Sequence, residues 1–359
     1  MSVIPSASAI PSAARNPLFV VAVSSALALG AAGFTRWQTA QPVTPHIERL
    51  DPALDAIVAA DARIETIATG FQWAEGPVWR REDGGYLLFS DVPGNTIHRW
   101  SERGGLGVWM RPAGYAGHSP PGRELGTNGL TLDAEGRVVA ADHGNRRVMR
   151  VDDARFTTTT LADRWEGRRF NSPNDVAYRP GTTDLYFTDP PYGLWKLDAD
   201  SAKEQRANGV YRLTSAGAVT QLVSDLAKPN GIAFSPDGRV AYVAQSDPAR
   251  AVVMAYDVTA DGAFARGRVL FDATPLVRQG RPGLPDGLEV DRAGNLFATG
   301  PGGVLVLAPS GRHLGTIVTG QPTANVAFGG ADGRMLYVTA NDRVMRVGVR
   351  TGGVLPAPR

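Results

Sequence analysis

The chain has 359 residues and nearly balanced charge, with 37 Lys and Arg against 35 Asp and Glu. No basic patch stands out along it, so nucleic acid is not an expected partner. It contains no cysteine, which excludes disulfides, thiol chemistry and lipid attachment to Cys. The 42 Gly and 26 Pro residues are typical of a turn-rich, all-β chain.

The first 34 residues have the pattern of an export signal or an N-terminal anchor. Residues 1–14 are rich in Ser, Ala and Pro, and Arg15 precedes an apolar run over 18–34. The tripeptide Ala26-Leu27-Ala28 offers a signal-peptidase site. The run is short for an uncleaved membrane anchor. We therefore expect a periplasmic or secreted protein, with cleavage favoured over anchoring.

A linker is expected over residues 35–62, with a short helix within PALDAIVAADA. The next segment, from Arg63 to Thr69 (RIETIAT), alternates in polarity as a strand does. It lies before the first of the repeated units described next.

One pattern recurs six times between residues 75 and 340. Each unit opens on a carboxylate or an amide, continues as an apolar strand, turns on Gly, Asp or Asn, and returns as a second apolar strand. The six opening residues, spaced 39 to 56 positions apart, are Glu75, Asn128, Asn174, Asn230, Asp286 and Asn325. This period suits a four-stranded propeller blade, and six units suit a closed ring. The sequence therefore predicts an all-β, six-bladed β-propeller over residues 63–350 and a C-terminal tail over 351–359.

The last unit has only three strands, because the chain nearly ends after the third, near 343–349. The strand at Ile64 to Thr69 belongs to no unit at the N-terminal end. We expect it to close the last blade, which leaves no long open strand edge. In the second unit, the predicted strands are Gly129–Leu132, Arg137–Ala141, Arg146–Val151 and Thr157–Leu161.

The six opening residues are expected to converge at one end of the ring, which we call the mouth. Turn preference explains any one of them, but not six at the same repeat position. Glu75 and Asp286 bring two negative charges that suit a divalent cation, and the four Asn residues bring neutral oxygens. All-oxygen ligation favours Ca²⁺. Zn²⁺, which prefers His or Cys, stays open with Mn²⁺ and Mg²⁺.

The chain resembles the gluconolactonase group of the SMP-30, gluconolactonase and luciferin-regenerating-enzyme family. The resemblance covers about residues 71–345. The strings that carry it are AEGPVW, LLFSDVPGNTIHRW, TNGLTLDAEGR, ADHGNRRV, NSPNDV, LYFTDPPYGL, PNGIAFSPDG, LPDGLEVDRAGN and GPGGVLVLAPSG.

The resemblance implies a six-bladed propeller with one catalytic divalent metal ion at its axis. It implies that Glu75, Asn230 and Asp286 hold the metal. It implies that Asn174 is a fourth ligand or a substrate contact. Asn128 is carried over as a substrate-side contact, and we interpret Asn325 as a supporting or structural residue.

A metal ion can polarise a lactone carbonyl, but hydrolysis also needs a base. Asp286 is the first candidate, although metal binding would weaken it as a base. His143 is the second candidate, because it lies in a mouth loop and imidazole suits proton transfer. Tyr192, in another mouth loop, is expected to stack on a sugar ring or pack the rim. His118, in a Gly- and Pro-rich loop, is a weaker candidate for a lid.

The sequence therefore predicts a metal-dependent lactonase that converts glucono-1,5-lactone to gluconate, acting as a monomer or dimer on a small molecule. One alternative is a hydrolase of other esters or organophosphates with the same metal site. Another is a non-catalytic propeller with a structural Ca²⁺ ion. The polar mouth loops, with His143, Asn145 and Tyr192, favour sugars over apolar esters.

Overall fold

Six antiparallel sheets follow one another along the chain in the computed structural model, which describes residues 43–117 and 122–354. The segment over 1–34 that is predicted to be an export signal or an anchor, and His118, lie outside these ranges. Five of these sheets contain four strands that are consecutive in the chain. The sixth contains three consecutive strands and a fourth from the N-terminal segment. The prediction of a six-bladed β-propeller is thus confirmed. Within the described ranges, no helix has both the length and the apolar character that a membrane crossing requires.

The blades are numbered in chain order. Blade 1 consists of Ala74–Arg80, Tyr86–Asp91, Thr96–Ser101 and Gly105–Met110. Blade 2 consists of Thr127–Leu132, Val138–Asp142, Arg147–Asp152 and Thr157–Ala162. Blade 3 consists of Val176–Tyr178, Leu185–Asp189, Gly209–Leu213 and Val219–Val223. The blade 2 strands lie within two residues of their predicted bounds.

The second half of the ring repeats this arrangement. Blade 4 consists of Pro229–Phe234, Val240–Gln245, Val252–Val258 and Phe264–Asp272. Blade 5 contains Leu288–Val290, Leu296–Gly300, Gly303–Leu307 and His313–Val318. Blade 6 contains Asn325–Gly329, Met335–Ala340 and Arg343–Gly348.

The remaining elements connect these strands. A two-stranded hairpin pairs Arg164–Trp165 with Arg168–Arg169. Short 3-10 helices are found at Pro52–Ala56, Glu82–Gly84 and Leu197–Ala199, and one α-helix spans Thr274–Arg278. The first strand of each blade contacts the first strands of both neighbouring blades, so the first strands line the axis.

The ring is closed by a strand from the N-terminal side, as predicted. Ile64–Thr69 pairs antiparallel with Arg343–Gly348 and completes blade 6. Blade 6 then packs on blade 1, where the Trp79 ring stacks on Tyr337 at 5.2 Å between centroids. Trp79 therefore belongs to the core between blades.

The segment that was predicted to be a linker forms regular structure. His46–Arg49 forms a fifth strand that pairs with the outer strand of blade 5. The Glu48 carboxylate accepts two hydrogen bonds from Arg281, at 2.7 and 2.9 Å. These four residues are mostly polar and gave no strand signal, because an added outer strand has one face in solvent. The short helix expected nearby is the single 3-10 turn at Pro52–Ala56.

The same segment contributes to the apolar core. Leu54 is fully buried and belongs to a cluster that includes Phe297 of blade 5 and Val347 of blade 6. At the other terminus, residues 351–354 of the expected tail also lie on the propeller. Gly353 forms a bridge with Asp291, and its N–H donates to the Gly333 carbonyl at 3.1 Å.

We predict that Leu54→Ala lowers the free energy of unfolding by about 2–5 kcal/mol, because it leaves a cavity between blades 5 and 6. Leu50→Ala is the matched control, since Leu50 is 55% exposed and lies four residues away. Urea unfolding of both variants measures the difference. Equal stability of the two variants would contradict a structural role for the N-terminal segment.

Candidate active site

The six opening residues meet at the mouth end of the first strands. Five of them are buried, and Asp286 is partly buried. The residue that follows most of them is Gly, and the next blade's backbone passes close to that Gly. A side chain at Gly76 would overlap the Asn128 carbonyl, and one at Gly231 would overlap the Asp286 carbonyl. Gly therefore allows neighbouring opening residues to come together.

A chain of hydrogen bonds orients three amides of the ring. The Asn128 amide donates to the Asn174 side-chain oxygen at 3.0 Å, and the Asn174 amide donates to that of Asn230 at 2.5 Å. The Asn230 amide donates to Ser246 Oγ at 2.8 Å, and Ser246 in turn donates to the Pro285 carbonyl at 2.6 Å. Each accepting oxygen keeps a second lone pair that a ligand can use.

The two acids of the ring lie near other acids. Burial raises the pKa of Glu75 to about 8, and the Asp175 charge contributes to the rise. Burial raises the pKa of Asp286 well above its usual range, with the charges of Glu75, Asp175 and Glu124 adding to it. Ionising these carboxyls without a cation is therefore unfavourable.

Asp175 and Asn325 support this arrangement from the side. The Asp175 carboxylate accepts backbone N–H groups of Val176 at 3.0 Å and Ile232 at 3.1 Å. The Asn325 side chain hydrogen-bonds to the carboxyls of both Glu75 and Asp175. Asn325 therefore holds an acid in place, in line with its interpretation as a supporting residue. Asp175 was not identified from the sequence, because it directly follows the opening residue Asn174.

These residues fit a divalent cation. Two carboxylates lack a neutralising charge among the groups that shift their pKa values. The Asn128 Oδ1 atom is buried and has no hydrogen-bond partner in the described part of the chain. In that part, no three His, Cys, Asp or Glu side chains are grouped for metal binding. A candidate metal site therefore combines two acids with amide oxygens, which suits a hard ion.

His143 occupies the mouth loop after the second strand of blade 2 and is 1% exposed. Its Nδ1 lies 2.6 Å from Glu124 Oε2. Its Nε2 is buried without a hydrogen-bond partner among residues 43–117 and 122–354. Glu124 belongs to the loop between blades 1 and 2, outside the repeated pattern, so the sequence did not identify it.

Tyr192 is half-buried in a mouth loop. Its hydroxyl lies close to the side chains of Ser246 and Asn230, and burial raises its pKa. The loop that carries it is held by Ser172, whose Oγ accepts the Gly193 N–H at 2.9 Å. The Asp189 carboxylate accepts the backbone N–H groups of Asn171 and Ser172, both at 2.8 Å. Tyr192 therefore contacts a predicted metal ligand directly.

The central channel of the propeller continues from the ring of opening residues toward the face opposite the mouth. A cavity of about 780 Å³ occupies it, and Asp175, Ile232 and Glu289 are among the residues that line it. Burial raises the pKa of Glu289 to about 8, and the Asp175 charge adds to the rise.

We predict that metal-free protein loses stability as pH rises from 7 to 9. The unfolded chain releases the protons of Glu75 and Asp286 below about pH 5, whereas the fold raises the pKa of Glu75 to about 8. The folded state therefore binds more protons in this window. The free energy of unfolding falls by about 1–2 kcal/mol as pH passes the folded pKa. Calorimetry in excess EDTA measures the loss.

Added Ca²⁺ should reverse the loss, because a cation favours the ionised carboxylates. Glu75→Gln should flatten the pH dependence. Glu135→Gln, at a side chain that is 60% exposed, should leave it unchanged. A thermal midpoint that stays constant or rises from pH 7 to 9 in EDTA would contradict the account.

Comparisons with known proteins identify the family of the chain. The family model described as the SMP-30/gluconolactonase/LRE-like region matches residues 73–342. A gluconolactonase of Zymomonas mobilis is 40% identical over 312 residues, covering 86% of this chain and 87% of that protein. A pentonolactonase of Haloferax volcanii is 31% identical over 281 residues, covering 76% and 83%.

Among solved structures, a gluconolactonase from Xanthomonas campestris superposes with a TM-score of 0.73. It is 30% identical, and the match covers 86% of this chain and 96% of that one. The chain belongs to the SMP-30/gluconolactonase/LRE-like family.

Proposed function

We propose that this protein is a metal-dependent hydrolase that opens sugar lactones, with glucono-1,5-lactone as a substrate and gluconate as its product. The observation that carries the proposal is the ring at the mouth. There, the buried Glu75, the partly buried Asp286 and several amide oxygens face a site with no cationic side chain among the groups that act on the acids. The gluconolactonase and pentonolactonase relatives support the lactone class.

Three residues would hold the ion, and a fourth lies beside them. Glu75 and Asp286 supply charge, Asn230 supplies an amide oxygen, and Asn174 is a fourth ligand or a substrate contact. A bound divalent ion supplies Lewis acidity toward a carbonyl oxygen, where negative charge develops during hydrolysis. We favour Ca²⁺ because all the donors are oxygens.

The protein's own groups at the mouth suit a hydroxylated substrate. Asn128 offers a buried carbonyl oxygen that accepts no hydrogen bond from the described residues. Tyr192 brings a hydroxyl against Asn230, and we place it as a substrate contact as well as a support for that amide. A substrate with several hydroxyl groups can pair with such groups, whereas an apolar ester would leave them unpaired.

Hydrolysis of a lactone also requires a group that takes a proton from water. Asp286 and His143 are the two candidates. Binding a cation lowers the pKa of a carboxyl, so Asp286 becomes a weaker base in the loaded protein. His143 has a ring nitrogen without a partner in the described ranges, and we favour it.

We predict metal-dependent hydrolysis of glucono-1,5-lactone in a pH-stat. Protein stripped of metal should be inactive, and Ca²⁺, Mn²⁺, Mg²⁺ and Zn²⁺ restored in turn should rank the metals. Asp286→Asn should lower kcat/KM by about 100-fold or more, because it removes one of the two charges that hold the ion. Asp332→Asn is the control, since its side chain is 67% exposed in a turn.

Two other outcomes would identify the alternatives. Turnover of phosphotriesters or aryl esters without turnover of lactones would indicate a hydrolase of other esters. If Ca²⁺ raises the melting temperature and no substrate reacts with any metal, the ion is structural and the protein is not a lactonase.

We also propose export, on the sequence of residues 1–34 alone. Cleavage after Ala28 would make Leu29 the first residue of the mature protein. Its N-terminal sequence checks this, and an intact Met1 in the mature protein would contradict cleavage.

A further inference from the structure

We propose that Glu124 and His143 form the proton-transfer pair of this enzyme, with His143 Nε2 as the general base and Glu124 as its positioning residue. The inference rests on the proposed lactonase function and names a residue that the repeated pattern does not contain.

We infer the tautomer of the imidazole ring from its contact with Glu124. The 2.6 Å contact joins His143 Nδ1 to a carboxylate oxygen, which can only accept a hydrogen bond when ionised. The Nδ1 atom therefore carries the proton. In the neutral ring, Nε2 is then the atom with a free lone pair.

The Nε2 lone pair of His143 is available to accept a proton. Nε2 is buried, and it finds no hydrogen-bond partner in the part of the chain that the structure describes. A buried polar atom without a partner costs about 1–3 kcal/mol. A purely structural histidine would normally bond through both nitrogens. An open, oriented acceptor is what a base needs before substrate and water arrive.

The pair lies at the mouth beside the ring. Asp142, which precedes His143, pairs with Thr127, which precedes Asn128. The His143 N–H donates to the Gly126 carbonyl at 3.2 Å. Glu124 is close enough to Asp286 and Tyr192 for its charge to act on both carboxyl and phenol. The pair and the ring thus share one site.

Three other charged side chains near His143, those of Asp142, Arg146 and Asp189, interact with other partners. On its own loop, Asp142 pairs with Arg147 at 2.8 Å, and the Arg146 Nε donates to the Phe170 carbonyl at 2.6 Å. On the facing segment around Gly193, Asp189 caps backbone N–H groups. Glu124 is therefore the carboxylate that contacts the ring of His143.

The proposed step balances as follows. The water oxygen bonds to the lactone carbonyl carbon while Nε2 takes one water proton. The ring C–O bond then breaks, and Nε2 returns that proton to the departing oxygen, which becomes a hydroxyl. The second water proton stays on the new carboxylic acid and passes to solvent at neutral pH. The Glu124 charge stabilises the imidazolium that exists between the two transfers.

We predict distinct effects for the two residues, measured with saturating metal. His143→Gln should lower kcat by about 10²–10⁴-fold with little change in KM. Glu124→Gln should lower kcat less. Glu124→Asp should restore part of the rate. His46→Gln, at an exposed histidine, is the control.

A second readout does not depend on activity. The chain has five histidines, so ¹⁵N NMR of metal-free protein, with His143→Gln to assign the signal, reports the tautomer of His143. The Nδ1–H form should dominate in the wild type and give way to a mixture in Glu124→Ala.

The possible failures are distinguishable. Wild-type kcat in His143→Gln would overturn the base assignment alone. A wild-type tautomer of His143 in Glu124→Ala would overturn the positioning role. If His143→Gln abolishes the rise in melting temperature caused by Ca²⁺, His143 is a ligand and the proposal is wrong. If the wild type does not hydrolyse any lactone, the proposed function fails and the pair's role fails with it.

Discussion

Two carboxyls that repel each other, Glu75 and Asp286, are the constraint on which the site depends. Burial and like charge oppose their ionisation, so the site as folded favours a cation or bound protons. The rest of the ring serves this arrangement. The amides of Asn128, Asn174 and Asn230 are linked in one direction, and Asn325 bonds to Glu75 from the other side.

The fold tolerates these two destabilising carboxyls because its stability comes from the apolar core between blades. The core lies between blades, where large apolar side chains such as Phe297 and Tyr337 pack away from the axis. The ring is closed by Ile64–Thr69, and a further N-terminal strand covers the outer edge of blade 5. Closure holds six chain segments together at the axis, so their polar residues stay close without an apolar contact between them.

The sequence allowed the fold and the ring to be predicted, because both repeat. A period of 39 to 56 residues with polar openings indicates blades, and each opening residue lies at the start of a first strand. The family resemblance then implied that the ring holds a catalytic divalent metal ion. The fourth strand of blade 6 was also predictable, since a three-stranded last blade would leave a long strand edge open.

The features that the sequence did not reveal have no repeated pattern. Glu124 lies in an irregular loop, and only its 2.6 Å contact with His143 marks it. Tyr192 could be placed at the mouth, but not against Asn230, because loop conformation decides how deep a side chain reaches. His46–Arg49 is too short and polar for a period to appear. The local sequence pattern predicts strands, whereas contacts between loops can be identified only in the folded structure.

The most direct test of the central claim is a crystal structure grown with Mn²⁺, which anomalous scattering locates without ambiguity. The account predicts one ion at the mouth, bonded to carboxylate oxygens of Glu75 and Asp286 and to an amide oxygen of Asn230. An ion bound elsewhere, or an empty ring in which protonated Glu75 and Asp286 carboxyls bond to their neighbours, would contradict it.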